Sequence, residues 1–235
     1  MSAGRSGDEH LRDWAGLHRT ETPGGFVGGW LRAAGAVARP LARAGVSPNA
    51  VTVAALLFAL AAVPLALIPG WPGPAAACLV VTLSGLLDSL DGAVAVQAGR
   101  TTKVGFLLDS ALDRLADAAF PAALAIVAGG GAWVAVAAVG ACWWLEYVRA
   151  RASLADPDPV PGGEPGAATP VRQDITPGER PTRIVLTAVG LGLPPLALAA
   201  LWGQVVIVGG SAVFLLAHSL RRLHRRDAGP PAPTG

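Results

Sequence analysis

Four aspartates, Asp88, Asp91, Asp109 and Asp113, stand in some of the most apolar sequence of the chain. An ionised Asp near the centre of a bilayer helix costs about 2.5–3.5 kcal/mol on insertion scales, so four of them demand counter-charge. Asp88 and Asp91 are three residues apart and Asp109 and Asp113 are four apart, so each pair shares one helical face. Gly92 and Ala95 continue the first pair's stripe as small residues, which lets another backbone or a ligand come close. With a reversal between Val96 and Gly105, and about 1.5 Å rise per residue, Asp91 reaches the depth of Asp109 and Asp88 that of Asp113. Two antiparallel helices then aim four carboxylates at one point. Hard oxygen ligands suit Mg²⁺ or Mn²⁺. Two such ions about 3.5–4 Å apart, bridged by shared carboxylates, are an arrangement for phosphoryl transfer.

The elements that carry these residues read as membrane spans. The chain has 235 residues, 52% hydrophobic and 14% charged, and its mean hydropathy of +0.50 points to an all-α polytopic membrane protein. Six spans of about 18–24 residues fit near 49–69, 74–97, 105–128, 132–152, 182–202 and 204–222, each long enough for a hydrocarbon core of roughly 30 Å. The turns at 70–73, 129–131 and 203 contain no Lys or Arg. Basic residues outside the spans lie in the N-terminal tail, the 98–104 and 153–181 loops and the Arg221–Arg226 run. That asymmetry puts both termini and the acidic cluster on the cytosolic side. With Lys103 as the one lysine and many Ala, Gly, Val and Pro, the composition fits a GC-rich bacterial genome, hence a multi-pass protein of the bacterial plasma membrane.

Ahead of the spans, Gly25 to Gly45 places Arg32, Arg39 and Arg43 on one face, the pattern of an amphipathic helix on an anionic membrane surface or of an ordinary soluble helix. Residues 1–24 and 227–235 read as disordered tails around a single membrane domain, 25–226. The Pro- and Gly-rich stretch from Asp156 to Pro181 reads as a flexible cytosolic excursion. The first long apolar run starts too late for a signal peptide. Cys78 and Cys142 fall in apolar segments and read as buried small hydrophobes, and His218 and His224 show no ligand spacing. Arg114 and Asp117, and likewise Glu146 and Arg149, are spaced to form ion pairs within the spans.

The run Asp88-x2-Asp91-Gly92-x2-Ala95-x9-Gly105-x3-Asp109-x3-Asp113 resembles the signature of the CDP-alcohol phosphatidyltransferase family, integral membrane enzymes that displace CMP from a CDP-linked lipid or alcohol. The resemblance implies that the four aspartates hold two divalent ions, that CDP-diacylglycerol is the donor, and that the protein is a homodimer. It also implies nucleotide contacts from Gly92, Ala95 and Gly105, and from Pro48, Asn49 and Thr52 of a Pro-Asn-x-x-Thr element. The last three have a structural reading too, since Ser47 and Pro48 are a helix cap and first turn. The family has an Arg directly after the Ala; this chain has Val96, and Arg100 or Lys103 is the nearest substitute.

Arg149 and Arg151 end the fourth span, and Arg180 and Arg183 open the fifth. Guanidinium groups bind phosphate bidentately, and they also anchor spans at the membrane edge. Actinobacterial family members that make phosphatidylinositol phosphate carry a similar Lys-Ala-Arg-Ala-Glu and Glu-Arg-Pro-x-Arg at these two places. Here Arg149 replaces the Lys, Ser153 replaces the Glu, and Glu179, Arg180, Pro181 and Arg183 match. The resemblance therefore implies a small phosphorylated alcohol as acceptor, inositol 1-phosphate first and glycerol 3-phosphate second, with Asp113 taking the hydroxyl proton. Ligation lowers a carboxylate's pKa, which weakens it as a base, so either Asp113 ligates loosely or a metal lowers the hydroxyl's pKa instead. An inactive paralogue would keep the same pattern. A transporter would more often show internal repeats and broken spans in matched positions, a scaffold would not need the acidic cluster, and no nucleic-acid partner is expected.

Overall fold

The computed structural model describes residues 25–155, 158–159, 168–169 and 176–227, with side chains from residue 34 onward in the first helix. The readings of 1–24, of most of 156–175 and of the end after Asp227 lie outside the described residues. Among the described residues seven α-helices follow in order: α1 (Gly25–Arg43), α2 (Pro48–Ala66), α3 (Pro72–Ala98), α4 (Lys103–Val127), α5 (Ala132–Ala155), α6 (Arg180–Gly192) and α7 (Ala197–Asp227). A 3₁₀ turn, Pro194–Leu196, joins the last two. Between α5 and α6 lies a two-residue antiparallel pair, β1 (Asp158–Pro159) and β2 (Ala168–Thr169), with Asp158 opposite Thr169.

Among the described residues, three stretches are long and apolar enough, by length and composition, to cross a membrane: Pro48–Ala66, Pro72–Ala98 and Pro194–Asp227. α4 and α5 are as long, at 25 and 24 residues. Their apolar character is diluted by Asp109, Asp113, Arg114 and Asp117 in one and by Glu146, Arg149 and Arg151 in the other.

The α3–α4 reversal is built from local rules. α3 stops at Gly99, whose φ of 61° is left-handed and costs a glycine nothing. The Gly99 and Arg100 amides close the helix on the carbonyls of Val96 and Ala95, at 3.2 and 2.9 Å. Thr102 then caps α4, its hydroxyl accepting from the Gly105 amide at 3.0 Å. α3 and α4 nevertheless touch each other little. α2 packs on both, and α6 bridges them from another side. The acid-bearing helices are thus splayed, not a tight hairpin, and meet through their side chains.

Alanine dominates the main core: Ala59, Ala62 and Ala66 of α2, Ala77 of α3, Ala116 and Ala123 of α4, and Ala197 and Ala200 of α7 surround Phe120, Leu124, Leu191 and Leu201. Small residues at helix contacts are how membrane helices gain close packing without a hydrophobic drive between them. A second cluster joins α5 to α7 through Cys142, Leu145, Val148, Val208, Ala212 and Leu215. Both cysteines are free. α1 lies on α3, with Ala34, Ala38 and Leu41 against Leu90, Ala93 and Val94. Buried polar groups are paired across helices: Ser84 donates to the Ala55 carbonyl at 2.9 Å, and Gln204 donates to Thr187 at 2.8 Å.

One boundary departs from expectation. The turn expected at Gly203 falls instead at Leu193–Leu196, so the stretch 182–202 is not one span. Pro194 disfavours helical backbone at Leu193, which sits at φ −125°, ψ 80°. Pro194 and Pro195 also lack amide donors. Gly203 stays helical inside the 31 residues of α7. α6, with 13 residues, is about 20 Å long, short of a full hydrocarbon core.

Gly190 sits where α6 crosses α4 and α7. A Cβ there would lie 2.5 Å from Leu124 Cδ2, 2.8 Å from Ala200 Cβ and 3.2 Å from the Ala197 Cα, which cannot swing aside. Gly190→Ala should therefore lose about 1–3 kcal/mol by overpacking, read as a lowered thermal midpoint in detergent. Gly140→Ala, with nothing within 4 Å of the new methyl, should be neutral or slightly stabilising.

Candidate functional site

Asp88 and Asp91 near the end of α3 and Asp109 in the second turn of α4 each offer one carboxylate oxygen, and these oxygens all lie within 4.8 Å of one another. Asp91 is buried, at 7% exposure. Its Oδ1 accepts from the Gly92 amide at 2.5 Å, while its Oδ2 is buried without a hydrogen-bond partner among the described residues. The Thr52 side chain of α2 stands beside it. Asp113 is not part of that trio. It meets Arg180, whose guanidinium also lies 2.9 Å from Asp88 Oδ1. Arg180, the first residue of α6, thus spans the carboxylates of α3 and α4 from above.

Around this cluster are the other residues singled out by sequence. Pro48 and Asn49 open α2. Asn49 Oδ1 would lie 3.2 Å from a Cβ on Gly105, so the glycine is what lets α2 approach the start of α4. Gly92 is exposed, and a methyl group added there would meet nothing within 4 Å. Ala95, one turn on, is half-buried. The acidic end therefore opens along the small-residue stripe. Val96 is buried, at 9%, so it turns from that opening into the bundle. Arg100 is exposed just beyond the Gly99 turn.

The arginines divide. Arg180 is in the acidic cluster, and Arg151 is exposed on the last turns of α5. Arg149 and Arg183 belong to a second, internally paired layer. Arg183, at 3% exposure, lies 3.4 Å from Asp117 and 3.8 Å from Glu146, and its Nη1 also reaches Cys142 Sγ at 2.6 Å. Arg114 bonds Asp117 at 2.9 Å and reaches Glu146 at 3.5 Å. Arg149 reaches Glu146 at 3.5 Å and Glu179 at 2.7 Å. The Arg114–Asp117 and Glu146–Arg149 pairs match their helical spacing. Sequence reasoning missed the cross-helix partners, Glu179 above all; its place directly before Arg180-Pro181, four residues from Arg183, was the available signal.

The two layers differ in charge. Arg114, Arg149 and Arg183 face Asp117, Glu146 and Glu179, one cation for each anion. The other layer has four aspartates against Arg180 alone among the described residues. Uncompensated carboxylates this poorly solvated attract cations. With an orphaned Asp91 oxygen and three converging oxygen donors, the residues present fit a hard divalent ion.

A family model for CDP-alcohol phosphatidyltransferases matches residues 45–216. Among similar proteins, archaetidylinositol phosphate synthase of Aeropyrum pernix is 39% identical over 120 residues, 51% of this chain and 60% of that one. Phosphatidylinositol phosphate synthase of Cutibacterium acnes is 36% identical over 54% of this chain and 63% of that one. These two matches span less than two thirds of the relatives' length. Phosphatidylinositol phosphate synthase of Mycolicibacterium smegmatis is 32% identical over 83% of this chain and 84% of that one. The crystal structure of the Mycobacterium tuberculosis phosphatidylinositol phosphate synthase with manganese and citrate superposes with a TM-score of 0.59 at 25% identity, covering 80% of this chain and 88% of that one. The same enzyme with CDP-DAG bound gives 0.56, over 82% and 94%.

Removing one partner of a buried ion pair strands the other charge, at about 3–5 kcal/mol. Arg183→Ala should lower the thermal midpoint, by less than that full amount, because the buried Asp117 loses Arg183 but keeps Arg114 at 2.9 Å. Arg151→Ala, at an exposed position, should leave stability within about 0.5 kcal/mol of the parent. Equal midpoints for the two variants would contradict the paired layer.

Proposed function

The chain belongs to the CDP-alcohol phosphatidyltransferase family, and from that premise we propose that it transfers a phosphatidyl group from CDP-diacylglycerol to the hydroxyl of a phosphorylated alcohol, releasing CMP. Inositol 1-phosphate is the acceptor favoured by the named relatives from Cutibacterium and the mycobacteria. The observation that carries the reading is the convergence of Asp88, Asp91 and Asp109 within 4.8 Å on the family's own motif.

Asp88, Asp91, Asp109 and Asp113 are the proposed ligands of two Mg²⁺ or Mn²⁺ ions. Bound there, the ions supply charge neutralisation for the diphosphate and for the leaving CMP. The chain's own groups do the rest. Gly92 and Ala95 leave room for the nucleotide, and Pro48, Asn49, Thr52 and Gly105 form the wall at which α2 meets α4. Arg100 is the proposed cation for the nucleotide phosphates in place of the absent Arg at Val96. The acceptor oxygen attacks the lipid-side phosphorus, the bond to CMP breaks, and the hydroxyl proton passes to the Asp113 carboxylate. That Asp113 stands outside the three-oxygen group supports a loose ligation that leaves it able to take this proton.

Arg180 and Arg151 are the proposed ligands of the acceptor's phosphate. Arg149 and Arg183 were candidates for the same pocket; their partners Glu179, Glu146 and Asp117 favour a supporting role behind Arg180.

The proposed setting is a bacterial plasma membrane, with the active site and both termini cytosolic. Six passes remain the proposed topology, α2 to α7, with the short α6 and the 3₁₀ turn completing the fifth. The end holding the Gly99–Thr102 turn and the start of α6 carries Arg100, Lys103, Arg151 and Arg180; the turns at the other end carry no Lys or Arg. α1 is proposed to lie at the cytosolic surface, and a homodimer is the proposed assembly.

CMP release from CDP-diacylglycerol, followed with Mg²⁺ or Mn²⁺ and a panel of acceptors, tests this. Inositol 1-phosphate should react fastest, ahead of glycerol 3-phosphate, free inositol and serine. Asp113→Asn should lower kcat about 10²–10⁴-fold, and EDTA should abolish turnover. A neutral acceptor reacting fastest, with Arg180→Ala without effect, would overturn the acceptor assignment.

A further inference from the structure

Arg180 occupies a position that its own helix does not fix. It is the first residue of α6, where backbone amides lack intrahelical partners, and a flexible side chain there has many rotamers to lose. Yet its guanidinium is held across carboxylates from two other helices, Asp88 and Asp113. The preceding turn explains how. Glu179 Oε1 accepts from the Thr176 amide at 3.0 Å, from the Thr176 hydroxyl at 3.1 Å and from Arg149 Nη2 at 2.7 Å. Arg149 is in turn fixed by Glu146 on α5. The Gly178 amide donates to Ser211 Oγ of α7 at 2.9 Å. A Cβ on Gly178 would sit 2.9 Å from that oxygen and 3.0 Å from the Val208 Cα, so the turn lies flat on α7. α5 and α7 therefore clamp residues 176–179 from two sides, and Arg180 is the next residue out.

We infer that Glu179 is a positioning residue: through the Arg149–Glu179–Thr176 clamp it holds Arg180 over Asp88 and Asp113, and so sets how strongly Arg180 competes with divalent cations for those carboxylates. The partners of the Glu179 carboxylate are Thr176 and Arg149, so its effect on the aspartates passes through the Arg180 backbone. The carboxylate does two things in the clamp. It accepts hydrogen bonds, which a glutamine oxygen can also do, and it neutralises Arg149, which a glutamine cannot. The inference deepens the functional reading above and rests on its metal-binding cluster.

The test is Mn²⁺ binding to the detergent-solubilised full chain, followed by electron paramagnetic resonance without substrate. Freed from the clamp, Arg180 samples other rotamers and competes less, so Glu179→Ala should tighten Mn²⁺ binding threefold or more, and Glu179→Gln by less. Arg180→Ala should tighten it at least as much. In the Arg180→Ala background, Glu179→Ala should then add nothing, because a residue acting only through Arg180 has no remaining route. Unchanged Mn²⁺ affinity in Glu179→Ala, or an equal shift with and without Arg180, would overturn the inference. Glu179→Gln keeps the Thr176 bonds, so it serves as the folded comparison if Glu179→Ala is unstable. In turnover, Glu179→Ala should raise KM for inositol 1-phosphate with KM for CDP-diacylglycerol unchanged. Absence of turnover in the parent protein would sink the functional reading, while the Mn²⁺ series still decides the role of Glu179.

Discussion

The structure depends on an imbalance of charge inside an apolar bundle. Among the described residues, the four aspartates of the cluster have one ion-paired guanidinium, Arg180, which meets Asp88 and Asp113, while the layer directly behind them is matched cation for anion. In the matched layer each charge has its partner within the protein. The bundle therefore has one polar seam whose charges pair within the protein and another in which, among the described residues, carboxylates outnumber their cations.

Packing makes the imbalance possible. The core is built on alanines of α2, α3, α4, α5 and α7, so the helices come close with little side-chain bulk between them. α2 lies against both acid-bearing helices and keeps them apart along most of their length. Their carboxylates converge about two to three helical turns from the Gly99–Thr102 reversal. Gly105 against Asn49 and Gly92 beside open space are the two places where the absence of a side chain shapes the site.

Much of this was legible in the sequence because it is periodic. The i, i+3 and i, i+4 spacings of the aspartates, the Gly92–Ala95 stripe and the Arg114–Asp117 pair all follow from 3.6 residues per turn. The all-helical class and the starts of α2 to α5 followed from hydropathy and capping signals. What could not be read was anything set by contact between distant segments. The pairing of Arg183 with Asp117, or of Arg149 with Glu179, joins residues tens of positions apart. The helix break went to Leu193 rather than Gly203 because two prolines outweigh one glycine; Pro194 and Pro195 were the available signal, masked by the apolar run through both positions. The splay of α3 and α4 was hidden likewise, since spacing alone fixes faces but not neighbours.

The two layers are successive rungs of a single ladder. Asp109, Asp113 and Asp117 follow at four-residue steps on α4, and Arg180 and Arg183 at a three-residue step on α6. Arg183 meets Asp117, and Arg180 meets Asp113. One turn further out the partner of Asp109 would have to come from Thr176 or Pro177, and neither carries a charge. The ladder of guanidinium groups ends because α6 begins there, whereas α4 continues outward past its last matched rung. Asp109 is thus left facing Asp88 and Asp91, three carboxylates with no arginine in register beyond Arg180 among the described residues. The start of α6, set by Glu179 and Pro181, decides where, among the described residues, the pairing of arginines with the α4 aspartates stops.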